Sequence, residues 1–209
     1  GNYAPNPGFQ LAQLLATMKD SEGKVLIKGY YDGIALDEAT LNILKSVPDN
    51  ANEINSNLAI SSPEKVGSFY QEALQYPSLN IRGLGSAWIG DQARTIVPAT
   101  ATAELDLRLV PESDGNRLKT LVKEHIKQQG YHVMSTIPTK EERLKYGHIV
   151  TVQEGSVTDA FRTDLNNPYG NSILKTLENK FGEKPVQIRI MGGTVPISPF
   201  INELKIPAF

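Results

Sequence analysis

Apolar and polar residues alternate with period two over one stretch of this chain and recur every three to four residues over several others. These two rhythms predict its elements. Across residues 99–110 the odd positions are Ala99, Ala101, Ala103, Leu105, Leu107 and Leu109, and the even positions are Thr100, Thr102, Glu104, Asp106, Arg108 and Val110. That alternation predicts a long strand with one dry and one polar face. Pro111 and Asp114-Gly115 end it. Leu118, Leu121, Val122, His125 and Ile126 then share one face of a helix predicted over 116–129, with Gly130 as its cap. Leu11, Leu14, Leu15 and Met18 share a face of a helix over 9–18, begun by Asn6-Pro7. Residues 24–31 read as a strand with Val25, Ile27 and Gly29 on one side, and 79–84, 131–137 and 148–153 read as further strands.

Residues 37–76 have another character. Short helices are predicted over 37–46, begun by Asp37, and over 63–76, begun by Ser62-Pro63. Between them 48–62 is rich in Asn and Ser and lacks a period, so the whole reads as an insertion between two strands of a sheet. From about residue 155 an α/β rhythm follows: a helix over 171–181 closed by Gly182, a strand over 185–190, a turn at Met191-Gly192-Gly193-Thr194, a helical turn over 199–204 and an apolar strand from 206. The expected fold is α+β: a ferredoxin-like antiparallel sheet with helices on one face, spanning 1–155 with a helical insertion at about 37–76. A short α/β segment at 156–209 completes it. A chain that stops on an apolar strand predicts a longer parent protein.

Composition narrows the function. Hydrophobic residues make up 40% and charged residues 21% of 209, enough for a buried core. A net charge of -2 with interspersed signs and no polybasic run argues against a nucleic-acid or membrane-surface partner. The absence of cysteine excludes disulfides and thiolate metal sites and leaves the compartment open. No apolar run is long enough to span a bilayer, and residues 1–7 do not read as a signal peptide. The three histidines, His125, His132 and His148, fall on a helix face and two separate strands, with no paired spacing, so they read as structural or surface residues.

What remains points to an anion. Arg94-Thr95-Ile96-Val97-Pro98 precedes the long strand, Arg108 projects from its polar face, and Arg189 precedes Gly192-Gly193-Thr194, where a glycine pair can turn backbone N–H groups toward an anion. Guanidinium forks match carboxylates. Two plainer readings stand beside this one. Arg108 pairs with Glu104 or Asp106 on a solvated face, or Gly192-Gly193 is only a turn.

Several segments, in order and spacing, resemble the zinc-dependent peptidases and deacylases that include carnosinase, glutamate carboxypeptidase and acetylornithine deacetylase. They are residues 1–7, GKVLIKGYYD at 23–32, PSLNIRG at 77–83, RTIVP at 94–98, DLRLVP at 106–111 and MGGTVPI at 191–197. The resemblance implies a lid domain that dimerises and closes over a catalytic domain holding two zinc ions. It implies that the zinc ligands, general base and oxyanion histidine of the parent enzyme lie outside this chain, so that no zinc is expected on it and it is expected to be inactive alone. It also implies a substrate-binding set: Thr95, Arg108, Arg189, Gly192, Gly193 and Thr194. The implied partners are a second copy through the lid and a small peptide or N-acyl amino acid whose amide bond is hydrolysed. The competing expectation is a stand-alone, non-enzymatic binding or assembly module.

Overall fold

The computed structural model describes residues 1–193 and 195–209. The chain groups into two compact units. The first is formed by residues 1–30, 78–108 and 115–157, the second by 31–77, 109–114 and 158–209.

In the first unit, helix α1 (Pro7–Ala16) starts where the Asn6 side chain accepts the N–H groups of Gly8 at 2.8 Å and Phe9 at 3.3 Å, with Pro7 pre-set for the first turn. Strands β1 (Ser78–Gly85) and β2 (Thr102–Arg108) pair antiparallel, Leu79 opposite Leu107 and Ile81 opposite Leu105. One extra residue, Arg82, bulges the ladder between Ile81 and Gly83. Along β2 the alternation holds: Ala103, Leu105 and Leu107 are half-buried while Thr102, Glu104 and Arg108 are exposed. Helix α5 (Gly115–Gln128) buries Leu118, Val122, His125 and Ile126 as its spacing predicts, and Leu118 is fully buried. That one side chain contributes roughly 1.5–3 kcal/mol of transfer free energy. After it, β3 (His132–Met134) and β4 (Ile149–Thr151) pair parallel, joined through α6 (Lys140–Lys145).

The predicted strand over 24–31 takes a different form. Val25, Ile27 and Tyr30 are buried and Lys24, Leu26 and Lys28 exposed, so the faces are as expected. Its ladder reduces to one bridge between Lys19 and Val25, because the chain turns at once: Tyr30 N–H returns to Ile27 C=O and Gly29 adopts a left-handed φ of 81°. Arg117 of α5 closes the turn by donating to Gly29 C=O at 2.8 Å.

In the second unit, α2 (Glu38–Lys45) begins at Asp37, whose carboxylate accepts Thr40 N–H at 2.8 Å. Helix α3 (Ala51–Leu58) lies in the Asn-rich stretch in which no period could be read; Asn50 caps it, and it buries no residue. The helix expected over 63–76 shrinks to α4 (Tyr70–Ala73), because Gly67 takes a left-handed φ of 78° and Ser68 N–H bonds the Glu72 carboxylate instead of a helical carbonyl. Helix α7 (Pro168–Phe181) starts at the Asn167 cap and ends in left-handed Gly182. Helix α8 (Ser198–Leu204) follows. Residues 185–190 and 206–209, expected as strands, form no ladder among the described residues. At the chain end the Thr163 hydroxyl takes both backbone groups of Ala208, donating to its C=O at 2.6 Å and accepting its N–H at 3.1 Å.

Candidate functional site

The polar face of β2 ends in Arg108. Its Nε donates to the Asp106 carboxylate at 2.7 Å, two residues back on the same face, and its side chain stays 59% exposed. Glu104 is engaged across the ladder by Arg82 at 3.0 Å. Of the two pairings open from sequence, the one with Asp106 forms, and it leaves the side chain facing solvent.

Thr95 stands in the loop that joins β1 to β2. Ile96 N–H bonds Arg94 C=O at 2.9 Å, so Thr95 is the apex of a three-residue turn with an exposed side chain. The loop is closed at its base by Ser86, whose hydroxyl donates to Thr100 C=O at 3.1 Å. On its outer side the Arg94 guanidinium lies 5.8 Å from the ring centre of Trp88, within cation–π range.

The second unit holds the other candidates. Gly192 is the apex of a similar turn, with Gly193 N–H bonded to Met191 C=O at 2.9 Å. That amide points back into its own turn, so of the backbone donors expected for an anion this one is occupied. A Cβ on Gly192 would rest 3.8 Å from the Leu74 side chain, and one on Gly193 would meet nothing among the described residues. Neither glycine has a left-handed φ. Thr194, the last of the expected contacts, lies outside the described residues.

Arg189 is placed differently from Thr95 and Arg108. Its side chain is only 13% exposed. Nη1 donates to Oε1 of Gln75, and Nη2 lies 3.8 Å from Glu112 Oε1. Glu112 is gripped in turn by Arg162, at 2.5 Å and 3.3 Å through the two terminal nitrogens. Gln75, itself 2% exposed, donates its Nε2 to the backbone C=O of Gln71 at 2.9 Å, and Gln71 donates to Asp49 at 2.7 Å. Burial alone would raise the Glu112 pKa; the Arg162 hydrogen bonds, a backbone hydrogen bond and the charges of Arg162 and Arg189 outweigh it and hold the carboxyl below the ordinary glutamate value. Burial, then Arg162, draws Arg189 below the ordinary arginine value, with Glu112 and Asp37 opposing. Glu112, Arg162 and Gln75 carried no sequence signal. They come from segments far apart in the chain from one another and from Arg189, with no spacing to read.

No three His, Asp or Glu side chains converge as a metal site among the described residues. His125 bonds the Thr17 hydroxyl at 2.8 Å, His132 stacks on Tyr146 with ring centres 3.7 Å apart, and His148 lies against Tyr131. These residues do not fit a metal ion. A groove of about 220 Å³ opens between α1 and the β1–β2 face and is lined by Leu15, Met18, Lys19, Leu79 and Leu105. It contains none of the residues predicted to bind substrate, and its one charge, Lys19, donates to Asn80 at 3.2 Å. Among the described residues no helix is long and apolar enough to cross a membrane.

Residues 1–134 match the family profile described as a peptidase dimerisation domain. The Cys-Gly metallodipeptidase DUG1 of Saccharomyces cerevisiae is 30% identical over 128 residues, 60% of this chain and 27% of that protein. Its counterpart in Candida albicans is 27% identical over 99% of this chain and 41% of its own length. The human Beta-Ala-His dipeptidase is 24% identical over 98% of this chain and 38% of its own length. Among solved structures, a M20 family metallo-carboxypeptidase from Sulfolobus solfataricus superposes with a TM-score of 0.73 at 25% identity, over 98% of this chain and 44% of that one. Human carnosine dipeptidase 1 shares the fold with a TM-score of 0.69 at 21% identity, over 98% of this chain and 42% of that one. The chain therefore spans about two-fifths of the length of the relatives that it matches from end to end.

Proposed function

This chain belongs to the peptidase dimerisation domain family of M20 metallopeptidases, and from that premise we propose that it is the dimerising, substrate-facing part of a two-zinc dipeptidase or N-acyl amino acid hydrolase. Its partners in this reading are a second copy of itself and a small peptide or acylated amino acid with a free carboxylate. Thr95 and Arg108, on the first unit, and Gly192, Gly193 and Thr194, on the second, are each assigned to substrate. The bond-breaking chemistry belongs to metal ions that the described residues are not arranged to hold, so no step of it is assigned to this chain.

One observation supports this reading above the others. Gly193 is a glycine for which neither backbone conformation nor packing among the described residues gives a reason, since its φ is not left-handed and a Cβ would find open space. A glycine in that situation is explained by something that must approach the backbone closely. Arg108, with its side chain 59% exposed, presents guanidinium surface that a carboxylate can reach.

The test is a substrate comparison in the metal-loaded protein that contains this chain. Arg108→Ala should raise KM for a dipeptide by roughly 10- to 100-fold, the loss expected for a charge-assisted hydrogen bond. The same substitution should leave KM for the C-terminally amidated dipeptide close to that of the unmodified protein. Equal losses on both substrates would remove Arg108 from the carboxylate. The second reading, a non-enzymatic assembly module, has in its favour that no three metal-donor side chains converge among the described residues. Failure of the metal-loaded protein to hydrolyse any dipeptide or N-acyl amino acid would favour it.

A further inference from the structure

The second unit contains a chain of buried and half-buried polar groups whose members come from three separate segments. Gln71 and Gln75 belong to the end of the insertion, Glu112 to the turn that follows β2, and Arg162 and Arg189 to the C-terminal segment. Gln71 and Gln75 are 3% and 2% exposed. Buried amides and guanidinium groups are costly unless their hydrogen bonds are made, so such a set locks the segments that supply it into one arrangement. The lock lies beside the glycine turn. Arg189 shortly precedes Gly192 in the chain, its guanidinium is held by Gln75 and Glu112, and a Cβ on Gly192 would come within 3.8 Å of Leu74, the neighbour of Gln75.

We infer that Arg189 is a positioning residue, and that the Gln75–Arg189–Glu112 contact fixes the Gly192–Gly193 turn against the end of the insertion. The guanidinium has two protein partners and little exposed surface, which suits a strut and leaves little for a ligand. Gln75 offers Oε1 to Arg189 while its Nε2 is spent on the Gln71 carbonyl, so the amide cannot reverse without breaking both bonds. Glu112 is held on its far side by Arg162, which keeps the acceptor from following Arg189 if it moves. The insertion thereby gains a structural role, because its last turn sets where the glycine backbone stands. This rests on the proposed function only in treating that turn as a substrate contact.

Amide hydrogen exchange on the whole 209-residue chain tests the lock without requiring turnover. Gln75→Leu and Arg189→Met should each speed exchange in the segment 186–197 by on the order of tenfold, the loss of one charge-assisted hydrogen bond. The double variant should speed exchange by less than the product of the two single effects, because the two substitutions share one contact. Exchange across Thr102–Arg108 and Gly115–Gln128, in the other unit, should be unchanged in all three. Glu112→Gln keeps the side-chain shape and should give a smaller change of the same sign, which covers the case in which Arg189→Met does not fold. Single variants that exchange like the unmodified chain, or effects that simply add, would overturn the inference.

Steady-state kinetics in the metal-loaded protein separates positioning from contact. Gln75→Leu and Arg189→Met should raise KM for a dipeptide by similar factors with kcat changed less. A loss in Arg189→Met many times that in Gln75→Leu would make Arg189 a substrate contact and end the positioning role. If the exchange results hold while the protein hydrolyses nothing, the lock stands and the peptidase reading falls.

Discussion

His125 is buried on the inner face of α5. Burial lowers its pKa from the ordinary 6.5. The Thr17 hydroxyl already donates its only proton to Leu14 C=O at 2.7 Å, so in the contact between Thr17 and Nε2 the ring must be the donor. The neutral ring therefore carries its proton on Nε2. With the folded pKa below the unfolded one, the unfolded chain binds more protons in the interval between them. Stability is then full above about pH 6.5 and falls as pH drops toward the folded value. Thermal midpoints measured from about pH 8 down to about pH 5 should show that decline, and His125→Gln should flatten it. A decline of the same size in the variant would place its origin elsewhere.

At this scale the candidate site was only partly legible. Thr95 and Arg108 could be singled out because each sits beside an unmistakable strand, and their exposure agrees with that placing. Arg189 was legible as a residue and not as a neighbourhood. Nothing in the local sequence announces that Gln75 and Glu112 will meet its guanidinium, since long-range polar pairing has no period.

Among the elements, those with strong amphipathic spacing were readable and those held by caps alone were not. Helix α5 appears within one residue of its expected ends because its apolar face recurs turn after turn. Helix α3 was missed because its apolar face is only three residues, Ala51, Ile54 and Leu58, none of them buried: Asn50 supplies the start, and Ala59 closes it in a left-handed conformation with φ 53°. Helix α6 was missed despite a complete capping box, in which Thr139 and Glu142 satisfy each other's backbone N–H groups at 3.2 Å and 2.7 Å. The strands expected at 185–190 and 206–209 failed for another reason. An apolar run becomes a strand only when a neighbour takes its hydrogen bonds. Caps also yield the prediction at this scale. Asn167→Ala removes the acceptor of Tyr169 N–H at 2.9 Å and should destabilise α7 by about 1 kcal/mol. Denaturant unfolding checks it, and Asn167→Asp should retain most of the stability because the carboxylate can still accept.

For the molecule as a whole, the α+β class and the antiparallel β1–β2 pair were readable, while the parallel β3–β4 pair was not. Parallel pairing joins strands through a crossover, here α6, and leaves no hairpin signal in the sequence. The β1–β2 sheet has only two strands among the described residues, so a backbone edge of each is left without a ladder partner. In a domain whose family is defined by dimerisation, association should contribute to folding stability. The thermal midpoint of the chain should therefore rise with protein concentration across the micromolar range. A midpoint independent of concentration, together with a monomeric sedimentation coefficient, would count against the homodimer.

Trp88 is the only tryptophan in the chain, and its indole lies over the guanidinium of Arg94, the residue just before Thr95. A cation held over an indole perturbs its excited state, and an indole that is 54% exposed is open to dissolved quenchers. All tryptophan emission from this chain thus originates at a single point on the loop that bears Thr95. The loop has a native optical label, and its state can be followed by light without attaching anything to the protein.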